Sequence, residues 1–458
     1  MNKKYTRTFV VLIIAALLLF AVTTVVFASP TGEEASNAPA IITLVILGIS
    51  AVLFITELIP LAVTSMAIPI ALVATGVVDA GTAFSGLSNS NVVLFAGMFV
   101  VGGALFETGV AKIIGDTVVK VARGNNTIVL FGVMLATGTL SSVLSNTGTV
   151  AVLLPVCIGI ADSAKIPRGQ VLLPLAMMAS LGGMISLVGT PPNNTVKMVL
   201  DEAGYESFGF FEYAWIGLPL TIAGLAFMMT IGRKLLPQSN GIIDDSHVQN
   251  NELLTKKQSK NKQIISTVVL LACVIIMATE IMELHMAAVT GALLVVVTGC
   301  ISEKEAYNSI DWTTIFLFAG TLSLATALDT TGAGQMIADA IIGVVGDSTS
   351  PYVLMTACFI LAGGLTQFMS NTASCALLAP IGLHIAAGLG ANPQAILMTI
   401  GIASSAAFVT PIGTPPNTLV LGPGGLKFID YVKTGIPLLI ITYIGCLLII
   451  PRVWPFFG

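Results

Sequence analysis

Two stretches of this chain place the same polar residues at nearly the same spacing inside apolar sequence. Ser145-Asn146-Thr147 is followed by Gly189-Thr190-Pro191-Pro192-Asn193, and Ser370-Asn371-Thr372 by Gly413-Thr414-Pro415-Pro416-Asn417. A Ser-Asn-Thr turn at a helix terminus offers hydroxyl and amide oxygens to a hard cation, and amide and backbone N–H donors to an anion. The positive ends of half-helices favour a negative ligand at the same place. Each proline of Gly-Thr-Pro-Pro removes a backbone donor and frees a carbonyl in the preceding turn. In hydrocarbon such carbonyls need partners, and a bound cation is one solution. One copy of this phrase could do no more than kink a helix. Two copies, one in each half of the chain, point to a transporter with its binding site at the repeat interface. No Lys or Arg lies deep in either phrase. The charge of an anionic substrate would then be met by co-bound cations and helix dipoles, because burying it unpaired is costly.

The elements that must carry these phrases are membrane helices. The 458 residues are 55% apolar and only 9% charged, with mean hydropathy +0.96, where globular proteins carry about a quarter charged residues. Apolar runs long enough for a ~30 Å hydrocarbon core recur along the chain. They lie near 9–27, 40–57, 62–78, 91–106, 169–196, 212–232, 264–282, 286–301, 312–328, 394–421 and 434–451. Stretches 127–162 and 351–388 are too long for one span, and each turns at its Ser-Asn-Thr, so each reads as a helical hairpin. The expected fold is an all-α polytopic membrane protein with eleven net crossings and two re-entrant hairpins.

With the N-terminus inside, seventeen of the Lys and Arg residues fall on the cytoplasmic side, and only Lys197 and Arg452 fall outside, a strong positive-inside bias. The C-terminus then lies outside a cell membrane. The run Phe9–Phe27, behind Lys3, Lys4 and Arg7, is longer than a usual signal core and reads as a retained first span. Cys157, Cys273, Cys300, Cys358, Cys375 and Cys446 show no metal spacing and read as small core residues.

The repeat extends beyond the phrases. Thr56-Glu57 matches Thr279-Glu280, Leu94-Phe95-Ala96-Gly97 matches Leu317-Phe318-Ala319-Gly320, and Thr108-Gly109 matches Thr331-Gly332, all offset by 223 residues. Ser145 to Ser370 is offset by 225 and Ala179-Ser180 to Ala403-Ser404 by 224. Such constancy marks a duplication. Five crossings per copy is an odd number, so the copies are inverted. Residues 1–38 supply an extra helix and outer loop, 39–236 the first repeat, 237–262 a cytoplasmic linker and 263–458 the second repeat. The hairpins 127–162 and 351–388 enter from opposite faces, so their tips can meet near the midplane. Glu57 and Glu280 read as symmetric interface or capping residues, His285 and His384 as packing residues, and His247 as solvated in the linker. Residues 112–123 pattern as an amphipathic surface helix.

On the paired Ser-Asn-Thr and Gly-Thr-Pro-Pro-Asn phrases, and the sequence from about residue 38 to the end, the chain resembles the divalent anion:sodium symporter family of the ion transporter superfamily. The resemblance implies a homodimer whose protomers each join a scaffold to a moving transport domain in an elevator mechanism. It implies sodium-coupled uptake of a dicarboxylate of the succinate, malate or fumarate kind. Carried over by position, one sodium site would use Ser141, Ser145 and Asn146 with the Gly189 carbonyl. The other would use Thr366 and Asn371 with the carbonyls of Met369 and Gly413. Substrate carboxylates would meet Asn146, Thr147, Asn371 and Thr372, with Thr414 and Pro415 nearby.

Rival readings are a sodium-independent dicarboxylate exchanger and a transporter of another divalent anion, such as sulfate or citrate. A sodium/proton antiporter should show a deep acidic residue near a phrase, and none is there. An enzyme would need a nucleophile–base pair or a metal-ligand set, which three histidines and the scattered acids do not form. No nucleotide phrase, organic cofactor motif or nucleic-acid surface is present.

Overall fold

The computed structural model describes residues 37–56, 58–110, 126–237, 259–279, 281–337 and 350–456, with positions 113 and 117. The first span, Glu57, Glu280, His247, most of the linker and most of 112–123 lie outside these residues. Among them the chain is helical, without strands.

The first half runs through α1 (Ala38–Thr56), α2 (Leu61–Ala74), a short α3 (Ala80–Phe84) and α4 (Ser90–Glu107). A hairpin follows, α5 (Asn126–Ser141) and α6 (Asn146–Ala164), then α7 (Gly169–Gly183), α8 (Pro191–Glu202) and α9 (Ala214–Phe227). The second half repeats the order. It has α10 (Lys260–Thr279), α11 (Leu284–Val297), α12 (Glu303–Ser309), α13 (Trp312–Thr330), the hairpin α14 (Pro351–Leu365) and α15 (Asn371–Leu389), then α16 (Pro393–Ser405), α17 (Pro415–Leu421) and α18 (Phe428–Val453). Helix α10 begins inside the stretch expected as linker.

Six helical stretches among the described residues are long and apolar enough to cross a membrane: Ala80–Glu107, Ala214–Leu235, Lys260–Thr279, Trp312–Thr330, Asn371–Leu389 and Phe428–Val453. The expected spans 40–57, 62–78, 169–196 and 286–301 hold shorter apolar helices. Regions 169–196 and 394–421 are broken where a single span was expected. The residue before a proline is pushed into extended backbone, and Thr190 (φ −140°, ψ 140°) and Thr414 (φ −150°, ψ 144°) take that form. The prolines behind them then open new helices, their missing N–H falling where a helix leaves donors unpaired anyway. Region 169–196 therefore becomes α7, a non-helical link and α8, and region 394–421 becomes α16, a longer link and α17.

Helices preceding each hairpin gather into a frame, in which α4 packs on α11, α13 on α2 and α10 on α11. Each pair joins the two halves or flanks such a pair. Close approach at small residues makes this possible. A Cβ on Gly97 of α4 would lie 2.8 Å from the Ala288 carbonyl carbon of α11, and one on Gly320 of α13 would lie 3.1 Å from Ser65 Cβ of α2. Gly97 and Gly320 are repeat equivalents, as are Ser65 and Ala288, so one contact is built twice. Phe95 and Phe318, also equivalent, meet edge to face with centroids 5.3 Å apart. The hairpins and the helices after them form a second body, in which α8 packs on α15 and α16, α7 on α17 and α6 on α17. On the outside, Ile222, Leu271, Ile275, Leu293 and Leu448 are exposed. Apolar side chains there suit lipid rather than water.

Candidate functional site

Each Ser-Asn-Thr starts a helix. Ser145 (ψ 142°) accepts a hydrogen bond from the Gly148 N–H at 3.2 Å and Ser370 (ψ 146°) one from the Ala373 N–H at 3.2 Å. These caps satisfy an N-terminal donor of α6 and α15 and leave Asn146 and Asn371 as first helical residues. Each Thr-Pro-Pro starts a helix as well. The N-termini of α6, α8 and α15, with the shorter α17, therefore converge on one cavity of about 650 Å³, lined by Ser145, Asn146, Thr147, Thr190, Pro191, Ser370, Asn371, Thr372, Thr414 and Pro415. The frame closes its other side with residues of α4 and the α12–α13 junction, among them Phe99, Phe106, Glu107 and Asp311. Among the described residues the lining contains no Lys, Arg or His. Thr147 is exposed at the first tip while Thr372 is buried at the second.

Behind each tip lies a dense group of oxygens. Ser141 Oγ contacts Asn146 Oδ1 at 2.7 Å and the Ala179 carbonyl at 2.7 Å. The Ala179 and Gly189 carbonyls lie 3.0 and 2.9 Å from the same end of the Asn146 amide. In the second half Thr366 Oγ1 contacts Asn371 Oδ1 at 2.9 Å and the Ser404 carbonyl at 2.6 Å. The Ser404 and Gly413 carbonyls both lie 3.3 Å from that amide end. Ser141 and Thr366 are fully buried, and Asn146 and Asn371 nearly so. A hydroxyl carries one proton, so neither Ser141 nor Thr366 can donate to both neighbours at once. The glycines are required by space. A Cβ on Gly189 would sit 2.8 Å from the Ser141 carbonyl oxygen, and one on Gly413 would sit 2.5 Å from that of Thr366.

The residues expected from the sequence, Met369 excepted, thus fall at the cavity or its two oxygen groups. Met369 immediately precedes the Ser370 cap, with its side chain in the core, which leaves only its backbone to offer. The Ala179 and Ser404 carbonyls were missed as site atoms. Their signal was the common separation of 38 residues from Ser141 and Thr366.

Some of the carbonyls freed by the broken spans are met by side-chain amides of the phrases themselves. Asn193 Nδ2 donates to the Ser186 carbonyl at 2.8 Å, and Asn417 Nδ2 to those of Ala407 and Thr410, both at 2.8 Å. The phrases thus supply their own donors. Tyr213 and Tyr431 then pin the helices by donating to the Asn193 and Asn417 carbonyls at 2.6 and 2.7 Å. Asn194 follows the first phrase where Thr418 follows the second, and the two side chains make different contacts. Asn194 Nδ2 reaches the Asn91 carbonyl of α4 at 3.3 Å, whereas Thr418 Oγ1 of α17 donates back to the Pro411 carbonyl of the preceding link at 2.8 Å. Nearby, Asn89 Nδ2 donates to Glu202 Oε1 at 2.6 Å and Asn91 Nδ2 to Asp201 Oδ2 at 3.0 Å, tying the frame to α8. The cysteines are all buried, and His285 Nε2 stands 3.4 Å from Glu283.

A family model described as citrate transporter matches residues 51–401 and 349–456. An uncharacterized transporter of Haemophilus influenzae is 32% identical over 417 residues, 86% of this chain and 87% of that protein. The sodium-dependent dicarboxylate transporter SdcS of Staphylococcus saprophyticus is 25% identical over 472 residues, 95% of this chain and 89% of its own length. Among solved structures, the YdaH transporter of Alcanivorax borkumensis has TM-score 0.59 at 14% identity, covering 90% of this chain and 98% of that one. MtrF of Neisseria gonorrhoeae has TM-score 0.57 at 14% identity over 85% of each chain. These two show likeness of fold alone. The matches over most of the chain, together with the apolar helices, make this a multi-pass membrane protein, and the chain belongs to the citrate transporter family within the ion transporter superfamily that includes the divalent anion:sodium symporters.

Proposed function

We propose that the protein is a secondary active transporter that couples sodium to the uptake of a C4-dicarboxylate such as succinate, malate or fumarate. One observation carries this reading. A cavity ringed by helix N-termini, with no basic side chain among its described lining residues, sits between two buried groups of oxygens. Helix dipoles and N–H groups attract an anion, and cations behind the tips supply the charge that the lining lacks. Ser141, Ser145, Asn146 and the Gly189 carbonyl hold one sodium ion. Thr366, Asn371 and the carbonyls of Met369 and Gly413 hold the other. Asn146, Thr147, Asn371 and Thr372 meet the carboxylates, flanked by Thr414 and Pro415. The sodium-dependent dicarboxylate transporter among the relatives supports this pairing of ion and substrate. The family's description favours citrate as a second reading, and the cavity volume leaves room for a third carboxylate.

The matched order of helices in the two halves supports reading residues 39–236 and 263–458 as inverted repeats. The frame then serves as scaffold and the hairpin body as the moving part of an elevator, in a homodimer with the N-terminus cytoplasmic and the C-terminus outside. On that orientation the contacts of Asn89 and Asn91 with Glu202 and Asp201 close the outer end, while Glu107 and Asp311 mark the inner. Asn146→Ala and Asn371→Ala should each abolish succinate uptake with an unchanged elution profile on size exclusion. Normal uptake by either variant contradicts the site.

A further inference from the structure

Asn146 and Asn371 each hold one end of an amide in an oxygen group, and that end fits equally well as nitrogen or as oxygen by size. With nitrogen inward, Asn146 donates toward the Ala179 carbonyl (3.0 Å), the Gly189 carbonyl (2.9 Å) and Ser141 Oγ (2.7 Å). Asn371 does the same toward the Ser404 and Gly413 carbonyls (both 3.3 Å) and Thr366 Oγ1 (2.9 Å). The hydroxyl is then free to donate to the Ala179 or Ser404 carbonyl, and every acceptor has a hydrogen. With oxygen inward, no amide hydrogen reaches the group and the hydroxyl proton serves only one of its neighbours, an arrangement that a cation resolves. Both residues also line the substrate cavity.

From this we infer that the two amides turn over when the ions bind, and that this turn couples sodium to substrate. Without sodium the NH₂ groups occupy the cages in place of the ions and point both amide oxygens at the cavity, where they repel a carboxylate. A sodium ion entering the cage draws the oxygen inward and delivers the NH₂ to the cavity, where it donates to the substrate. The same side chain thus excludes the anion in one setting and binds it in the other, in both halves. The inference rests on the sodium–dicarboxylate reading above and adds the atom-level reason for its order, cation before anion.

Replacement by aspartate separates the two roles. A carboxylate presents oxygen at both ends, so it satisfies the ion whichever way it lies and never donates to the substrate. The test uses full-length parent protein with Asn146→Asp and Asn371→Asp, following thermal stabilisation by sodium chloride against potassium chloride, and then by succinate at saturating sodium. In the parent, sodium stabilises, and succinate stabilises further only with sodium present. In the aspartate variants sodium half-saturation stays the same or falls, while apparent succinate affinity drops by about a hundredfold or more, from a lost donor and an added like charge. A structural role alone would not produce that split. Near-parent succinate affinity in both variants overturns the inference, as does loss of the sodium response as complete as in Asn146→Ala. Should one variant not fold, its counterpart in the other half decides by the same two outcomes. A parent with no sodium response contradicts the sodium reading itself, and the amide turn with it.

Discussion

Thr366→Val removes one oxygen from the second cage while keeping the shape of the side chain. Thr366 is fully buried, and its hydroxyl lies 2.9 Å from Asn371 Oδ1 and 2.6 Å from the Ser404 carbonyl. On the proposed sodium reading that oxygen faces a unit charge. Losing a polar partner of a charged group in a buried place costs about 1.5–3 kcal/mol, which corresponds to a rise of roughly 10- to 150-fold in the sodium concentration for half-maximal uptake. Thr366→Ser keeps the oxygen and should stay near the parent value. Ser141→Ala should repeat the effect in the first half, because Ser141 occupies the same place in the matching cage. The assay is succinate uptake into proteoliposomes over a sodium titration at constant ionic strength, with potassium as replacement. An unchanged sodium half-saturation in Thr366→Val, with uptake intact, refutes the second cage as a cation site.

Other outcomes follow from the same geometry. Gly413→Ala places a Cβ 2.5 Å from the Thr366 carbonyl oxygen, which forces the cage apart, and uptake should fall to background although the rest of the chain packs as before. The Asn89→Cys, Glu202→Cys pair replaces a 2.6 Å contact between the frame and α8. Its oxidation should arrest uptake and a reductant should restore it. Full uptake through the oxidised pair contradicts movement of the two bodies against each other.

Much of this architecture can be read from the sequence because duplication writes it twice. The offset of 223 residues shared by Gly97 and Gly320, and by their partners Ser65 and Ala288, becomes a helix contact between the halves that is made twice. The hairpins turn at their Ser-Asn-Thr because Ser145 and Ser370 cap the helices that follow. Hydropathy alone did not show the breaks inside 169–196 and 394–421. The prolines mark an interruption, and backbone geometry fixes it at Thr190 and Thr414, which leave the helix. Nor did it show which groups satisfy the freed carbonyls, since the Asn193 and Asn417 amides fold back over 7 residues to reach them. The Ala179 and Ser404 carbonyls were hidden for a simpler reason. A backbone oxygen has no residue-type signature.

The measurement that bears most directly on the central claim is radiolabelled succinate uptake into proteoliposomes carrying the purified protein, under an inward sodium gradient and with potassium in place of sodium. The account predicts concentrative uptake with sodium and none above empty vesicles with potassium. Equal uptake in both conditions, dependent on dicarboxylate inside the vesicles, would contradict it and identify an exchanger that makes no use of the two cages.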